Sequence, residues 1–566
     1  MNDFEKLTPA KLKLMSLGEL ESLASDIRDF LISKINQTGG HLGPNLGVVE
    51  LTIALHYVFN SPYDQFIFDI GHQAYTHKIL TSRAKGFNKL RSKGGMSGFT
   101  SYQESKHDVW EAGHAGTALS ALMGVLYSHQ IDKSSHRAIA IVGDGALSSG
   151  MSLEALNLIS YHNLPGIIII NNNKMSISKS VGKMSQLLNG SSKVKSEFFK
   201  TLGYEFLEVE DGHNLRDLIN TFTRIKDIKK PQVILVNTVK GKGYPEAEKD
   251  TIGKYHMISP VKCKYPTWSE VISTLILEIQ KEIPTMVVVP AMEVGSHLTK
   301  FKEKYPNRFL DVGISEEHAA TMSAALAKNN KNVVLSLYST FSQRAFDQIL
   351  NDIARPNLGV FITIDRGGLI PGDGDTHQGI YDVSMFNMMP NVTITMPANI
   401  QDASDLLRYG LKLRKPFIMR FPKGYVNDEI TYDKRDITIS WDQITSGNKL
   451  NIITYGPLVK DLKTLIEETK LPVSLYNAKF LKPIDTNQLN DIFSNGKSIL
   501  VIEEIVNKGG LYQEILDQKE KGKHQSLVMT HSLNDLNIPH LNEEEIKEFA
   551  SFDLKSIHKL IKDAIR

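Results

Sequence analysis

One cysteine, Cys263, stands among 566 residues. A single thiol can form no intrachain disulfide, and it points away from a cysteine-based metal site. Excess charge of either sign is also missing: 65 Lys and Arg face 63 Asp and Glu, for a net charge of +2. That balance gives no electrostatic reason to expect a nucleic-acid or membrane partner. Long apolar runs are missing too; none approaches the roughly 18 residues needed to cross a bilayer. The first 13 residues are polar and include acidic side chains, unlike a secretory signal. A cytoplasmic protein is expected. What is present, 41% hydrophobic and 23% charged residues, is the make-up of an ordinary globular chain. Its length calls for several domains.

The chain is organised around residues 137–178. Residues 138–142 form a short apolar run, as in a buried parallel strand, and residues 166–170 form a second. Between them, residues 152–163 set Leu153, Leu156 and Ile159 at helical spacing. Gly143-Asp144-Gly145 reads as the turn leaving the first strand, and Asn171-Asn172-Asn173 ends the second. A strand, helix, strand order brings both strand ends to one sheet edge, where open α/β sheets bind ligands. Asp144 and Asn173 are thus expected to meet there. One carboxylate and one amide oxygen are hard ligands suited to Mg²⁺, with diphosphate oxygens completing the shell. The glycines admit backbone N–H groups to those phosphates. An acidic glycine turn alone is a weak signal, most often an ordinary β–α turn. The triple asparagine at the end of the next strand gives it weight.

Gly143-Asp144-Gly145 through Asn173 resembles the thiamine-diphosphate motif. The surroundings are similar to the 1-deoxy-D-xylulose-5-phosphate synthase family, in the transketolase-like group. The supporting stretches are Gly40-His41-Leu42-Gly43-Pro44-Asn45-Leu46-Gly47, Asp69-Ile70-Gly71-His72-Gln73-Ala74-Tyr75, Lys174-Met175-Ser176-Ile177-Ser178, Ile314-Ser315-Glu316-Glu317-His318, Tyr338-Ser339-Thr340-Phe341 and Asp373-Gly374-Asp375-Thr376-His377-Gln378-Gly379. They follow the family's order over most of the chain.

The resemblance implies an α/β fold of three domains, each a mostly parallel sheet flanked by helices. Residues 1–258 would bind diphosphate and metal, and 284–430 the pyrimidine. A linker and helix at 259–283 would join these two. A second linker at 431–448 would lead to a transketolase C-terminal-like domain at 449–566, which supports dimerisation in the family. The cofactors implied are thiamine diphosphate and Mg²⁺, the latter held by Asp144, Asn173 and the Met175 carbonyl. His72, Gly113, His114, Ala115, Gly145, Ala146, Tyr244 and Phe341 would border the cofactor. The residues 112–117 also open a helix whose N-terminus can take phosphate. Where the family carries Gly-His-Ser-Ser-Thr, this chain has Ala115 and Gly116, which leaves backbone rather than hydroxyl contacts. Glu316 would hydrogen-bond the pyrimidine ring nitrogen and favour the imino tautomer that removes the thiazolium proton. Burial against an apolar ring would raise its pKa.

Arg366, Arg344 and Tyr338, near strand ends, suit a sugar phosphate by charge and hydrogen bonding. By resemblance, Asp373, His377 and Lys423 join them, Lys423 replacing a common arginine and losing its bidentate fork. His41, His256 and His377 are candidates for proton transfer near the substrate. The stretch after Ser178, polar up to about residue 200, reads as a mobile loop, shorter than in the family. The implied reaction condenses pyruvate with D-glyceraldehyde 3-phosphate, releasing CO₂ and giving 1-deoxy-D-xylulose 5-phosphate. It would feed isoprenoid, thiamine and pyridoxal biosynthesis in a homodimeric enzyme. The alternatives are a transketolase with a ketose donor and a non-catalytic phosphate-binding regulator. An intact Glu316 beside intact metal ligands argues against the regulator.

Overall fold

A computed structural model describes residues 4–175, 180–258, 264–427 and 430–566. Three sheets organise them. The chain divides into two compact units: residues 1–262 with 312–315, and residues 263–311 with 316–566. No described helix is long and apolar enough to cross a membrane.

The first unit holds one parallel sheet. Its strands are β1 (Gln65–Phe68), β2 (Ala138–Gly143), β3 (Ile167–Asn172), β4 (Glu205–Val209) and β5 (Gln232–Asn237), in spatial order β1-β2-β3-β5-β4. Four successive isoleucines of β3 are wholly buried, as expected where helices cover both faces. Gly143 pairs with Asn171, so Asp144 and Asn173 leave neighbouring strands at one edge. The Leu17–Thr38 helix starts on a Ser16–Glu19 capping box and stops at Gly39 (φ +77°), the expected stop.

Several expectations need correction here. Asp144 does not sit in an open turn: Asp144–Leu147 is a single helical turn entered directly from β2. The next helix runs Gly150–Tyr161, and Leu153 faces outward at 38% exposure while Leu156 and Ile159 are buried. The inward stripe passes through Ser152 and Ala155 instead. The supposed mobile loop after Ser178 contains two helices, Gly182–Leu188 and Ser192–Thr201. Leu188 and Phe199 anchor them, with Phe199 stacked on Phe206 at 5.3 Å. Two buried apolar residues outweigh a polar average. Ser176, Ile177 and Ser178 lie outside the described residues.

The second unit holds two sheets. One contains β6 (Thr285–Val289), β7 (Phe309–Asp311), β8 (Asn332–Tyr338), β9 (Val360–Asp365), β10 (Thr393–Thr395) and β11 (Phe417–Arg420), mutually parallel. The other contains β12 (Asp442–Thr445), β13 (Leu450–Thr454), β14 (Val473–Asn477), β16 (Ser498–Val506) and β17 (Val528–Leu533). The stretch read as a polar linker thus contains β12, which pairs antiparallel with β14. A short strand between β14 and β16, β15 (Phe480–Lys482), leaves their sheet and pairs antiparallel with β10. The two sheets of this unit are thereby joined through the backbone.

Candidate active site

In the first unit, three histidine rings converge. His41 lies 5.3 Å from His72 and 5.7 Å from His256, and His72 lies 5.4 Å from His256, centroid to centroid. They come from distant stretches: a loop after the Leu17–Thr38 helix, the exit from β1, and the segment beyond β5. Burial pushes His72 down to about 4 and His256 well below its ordinary value, with the Lys240 cation adding to both. Both are therefore neutral near pH 7. A 2.7 Å bond between His72 Nδ1 and the Ile70 carbonyl makes Nδ1 the donor and leaves Nε2 as an acceptor. Ile70 itself has φ +48°, a costly conformation for a β-branched residue. Similar backbone strain recurs at Lys174 (φ +65°), just past β3, and at Arg366 (φ +61°), just past β9.

The metal candidates stand at the predicted edge. Asp144 is buried, and its Oδ1 meets no partner among the described residues. Ser180 Oγ donates to Oδ2 at 3.2 Å. Burial raises the Asp144 carboxyl to about 7, against the hydrogen bonds from Ser180 and the Gly145 backbone. Asn173 Oδ1 accepts from the Met175 N–H at 3.0 Å. Among the described residues no group of three His, Cys, Asp or Glu gathers to hold a metal. A cation here would draw on oxygens of other kinds.

The helix Ala118–Ile131 differs from expectation. Its opening N–H groups at Gly116 and Ala118 are not left for phosphate: both donate to the Asp69 carboxylate, at 2.9 to 3.2 Å. Gly116 (φ +85°) is required there, because a Cβ would stand 2.3 Å from Ser149 Oγ. Gly113, His114 and Ala115 remain in the turn just before it. Tyr244 packs edge-on to Tyr255 at 5.6 Å and makes no ring contact with the three histidines among the described residues.

In the second unit, Glu316 opens the Glu316–Lys328 helix. It is buried, and its Oε2 has no hydrogen-bond partner among the described residues. Burial raises it to about 7, although the Arg344 guanidinium, 4.0 Å away, pulls the other way. Arg366 lies over the Tyr338 ring at 3.8 Å, Tyr338 stacks on Phe341 at 5.6 Å, and Phe341 meets His377 edge-on at 5.7 Å. Lys423 Nζ donates to Asp373 Oδ2 at 2.7 Å. Asp373 also supports the charge on Arg366, which burial lowers to about 10. Arg366, Tyr338, Phe341 and His377 thus form one run of ring contacts, and Lys423–Asp373 and Arg344–Glu316 are two separate ion pairs.

Three residues were given no role from sequence. Asn45 is wholly buried; its Nδ2 donates to the His41 and His72 carbonyls, at 2.8 and 2.6 Å, and its Oδ1 accepts from the Tyr75 N–H at 2.8 Å. It ties two of the histidine loops together. Lys240, lowered by burial to about 8, is close enough to influence Asp144, His72 and His256. Its Lys240-Gly241-Lys242-Gly243 setting carries no mark of burial in the sequence. Asp365 is buried beside Arg366, held up to about 7 by burial, and bonded by Ser269 Oγ at 2.7 Å.

Comparison with known proteins fixes the class. Residues 5–196 match the family described as 1-deoxy-D-xylulose-5-phosphate synthase, 264–428 the transketolase pyrimidine binding domain, and 440–557 the transketolase C-terminal domain. This is the domain set of thiamine-diphosphate-dependent transferases of the transketolase type. A 1-deoxy-D-xylulose-5-phosphate synthase from Lysinibacillus sphaericus (strain C3-41) is 40% identical, covering 100% of this chain and 97% of the relative. Another from Bacillus cereus (strain G9842) is 39% identical, covering 94% of each. A crystal structure of transketolase from Campylobacter jejuni subsp. jejuni is similar at a TM-score of 0.45 and 15% identity, covering 97% of this chain and 100% of that one. The chain belongs to the 1-deoxy-D-xylulose-5-phosphate synthase family.

The residues present suit the family's cofactor. Asp144 offers a buried carboxylate oxygen without a hydrogen-bond partner among the described residues, at the edge where β2 ends, which a hard cation would satisfy. Glu316 offers a buried carboxyl that keeps its proton near neutrality, as a hydrogen bond to a ring nitrogen requires.

Proposed function

We propose that Asp144 serves the diphosphate end of thiamine diphosphate, through Mg²⁺, and that Glu316 serves the pyrimidine end. The enzyme condenses pyruvate with D-glyceraldehyde 3-phosphate to 1-deoxy-D-xylulose 5-phosphate and CO₂, a step of isoprenoid biosynthesis. The observation that carries the residue assignment is that both carboxylates are buried with an oxygen left without a hydrogen bond among the described residues. Buried carboxylates are normally satisfied, and these two stand in stretches that match the family's cofactor motif, which supports a bound partner there.

Bound thiamine diphosphate supplies the nucleophilic carbon and the electron sink. Asp144, Asn173 and the Met175 carbonyl are the proposed ligands of Mg²⁺. The cation restores to Asp144 the ionised form that burial disfavours. Gly113, His114, Ala115, Gly145 and Ala146 are proposed to line the diphosphate with backbone. Glu316 presents its proton to the pyrimidine nitrogen, with Phe341 against the ring face. His72 and Tyr244 are proposed to border the cofactor. His41, His256 and His377 are the proposed proton carriers at the substrate; of these His256 is neutral and can accept a proton. Arg344, Arg366 and Tyr338, with Asp373, His377 and Lys423, are proposed to bind the phosphorylated aldehyde. A transketolase reading finds less support, because the N-terminal match is to the synthase.

The proposed domain boundaries are residues 1–258, 284–430 and 449–566, joined through 259–283 and 431–448, with β12 of the second joining stretch adding an edge strand to the last domain. A homodimer is proposed as well. Exposed apolar side chains on two adjacent helices support it: Tyr127 and Ile131 on one, Met151, Leu158 and Tyr161 on the other. The cytoplasm is the proposed location, and supply of thiamine and pyridoxal precursors a proposed further role.

Purified protein given both substrates should form product only with thiamine diphosphate and Mg²⁺ together. Full activity without either overturns the assignment. Two-carbon transfer from a ketose donor, with pyruvate left unconsumed and no CO₂ released, would favour the ketose-donor reading.

A further inference from the structure

The segment after β17 reaches back to the loop that carries Asp373. His540 Nδ1 donates to the Gly372 carbonyl at 3.1 Å, and the Gly372 N–H donates to the Leu541 carbonyl at 2.8 Å. Both backbone polar groups of Gly372 are thus held by residues 540 and 541. Two residues on, Gly374 (φ +73°) lies directly against the imidazole: a Cβ there would stand 2.9 Å from His540 ring atoms. From the other side, Lys423 Nζ donates to the Pro371 carbonyl at 3.0 Å and to Asp373 Oδ2 at 2.7 Å. Gln378 closes the turn from within, accepting from the Ile370 N–H at 2.8 Å and donating to the Gly374 carbonyl at 2.9 Å.

We propose that His540 is a positioning residue for the acceptor substrate, fixing the 371–374 turn so that Asp373 and Lys423 stand ready for the phosphorylated aldehyde. The proposal rests on the assignment of Asp373 and Lys423 to that substrate. It gives the C-terminal sheet's domain a part in substrate selection, beyond any part in assembly. His540 itself touches no substrate. Its imidazole is only half-buried and is spent on a loop carbonyl, a poor use of a side chain meant for core packing. The turn continues to Thr376, whose carbonyl accepts from Thr340 Oγ1 at 3.1 Å, and to His377 against Phe341. Those later contacts hold its far end independently. Loosening His540 therefore moves Asp373 first, and with it the acceptor phosphate rather than pyruvate.

The test is steady-state kinetics of the full-length holoenzyme, with thiamine diphosphate and Mg²⁺, for four variants. His540→Ala and His540→Phe both lose the donor, and the second keeps ring bulk if the first folds poorly. His540→Asn keeps a donor near the Nδ1 position, and Asp373→Asn tests the substrate assignment itself. The Ala and Phe variants should raise KM for glyceraldehyde 3-phosphate about tenfold, the effect of one lost hydrogen bond, and leave KM for pyruvate within about twofold. His540→Asn should restore the acceptor KM. If Asp373→Asn raises the acceptor KM and neither His540→Ala nor His540→Phe does, the positioning role is wrong and the substrate assignment stands. The role also fails if both substrates' KM values move together, or if Asn rescues nothing. If Asp373→Asn leaves the acceptor KM unchanged, the assignment falls and takes the positioning role with it.

Discussion

Two regions of the molecule bury charge in opposite ways. Around Arg420 every charge is met. The guanidinium donates to both Asp382 oxygens at 3.0 and 3.2 Å and to the Gly379 carbonyl at 3.2 Å, with both side chains 1% exposed. Nearby Glu503 accepts from the Leu511 and Tyr512 N–H groups, each at 3.0 Å, and from Tyr455 OH at 3.1 Å. Asp144 and Glu316 are buried almost as deeply, yet each keeps an oxygen without a hydrogen-bond partner among the described residues, Glu316 having only the Arg344 guanidinium at 4.0 Å. Burial alone does not mark a functional group. Nor does an unmet hydrogen bond by itself, since Thr76, Ser323 and Thr530 also bury an orphaned oxygen; a buried carboxylate oxygen left unmet is the costlier case, which a ligand can offset.

The largest expected effect sharpens that contrast. Glu316→Gln keeps the shape and removes the proton that the pyrimidine needs. Turnover should fall by about 10² to 10⁴, the range for losing an acid–base group, while the unliganded protein melts no lower than the original. A variant that lost stability and kept turnover would move Glu316 into the structural group. Arg420→Met should do the reverse. Leaving Asp382 buried and unpaired should cost about 3 to 5 kcal/mol of stability by urea unfolding. A variant as stable as the original would mean that the paired region carries no more structural weight than the unpaired one.

The pH dependence of the cofactor-free protein follows with a definite sign. Folding raises Glu316 from 4.5 to about 7 and Asp144 from 3.8 to about 7, both through burial. Between those limits the folded state keeps protons that the unfolded chain has released, so stability falls as pH rises from about 4 to 7. Asp108 works the other way. Burial alone would raise it, but hydrogen bonds from His77 and Arg83 hold it well below the usual carboxylate range, so its contribution is lost in acid. Glu316→Gln should remove about 3 kcal/mol of the decline between pH 4.5 and 7, read as urea midpoints against pH. An unchanged slope would show that Glu316 is not proton-holding in the folded state.

Much of this was legible in the sequence, and the exceptions have physical causes. The apolar runs of β2 and β3 were plain because parallel strands are buried on both faces. That Asp144 and Asn173 leave neighbouring strands at one sheet edge then followed from chain connectivity alone. What stayed hidden depended on partners distant in sequence. Asn45 looks like any loop amide until its bonds to His41 and His72 are seen. The phosphate-ready helix start at Gly116 is filled by Asp69, a residue 47 positions earlier. Leu153 fits the helical spacing of Leu156 and Ile159, yet the helix turns its smaller residues inward. Helices at residues 182–201 were obscured because Leu188 and Phe199 are few among many polar neighbours.

The smallest effect tests the metal half of the contrast by itself. A ligand that binds only the folded state adds about 2.7 kcal/mol at a hundredfold excess over its Kd. Mg²⁺ with thiamine diphosphate should therefore raise the melting temperature, and chelation should reverse the rise. Asp144→Asn exchanges the buried acid for a neutral amide that satisfies a cation poorly. The variant should be at least as stable as the original without ligands, because nothing ionisable is left to bury, and it should lose most of the ligand-induced shift. Two outcomes would break the comparison. If the variant keeps the full shift, Asp144 is not the cation's anchor. If it is destabilised without ligands, the lone carboxylate was already satisfied within the fold, as the Arg420 region is.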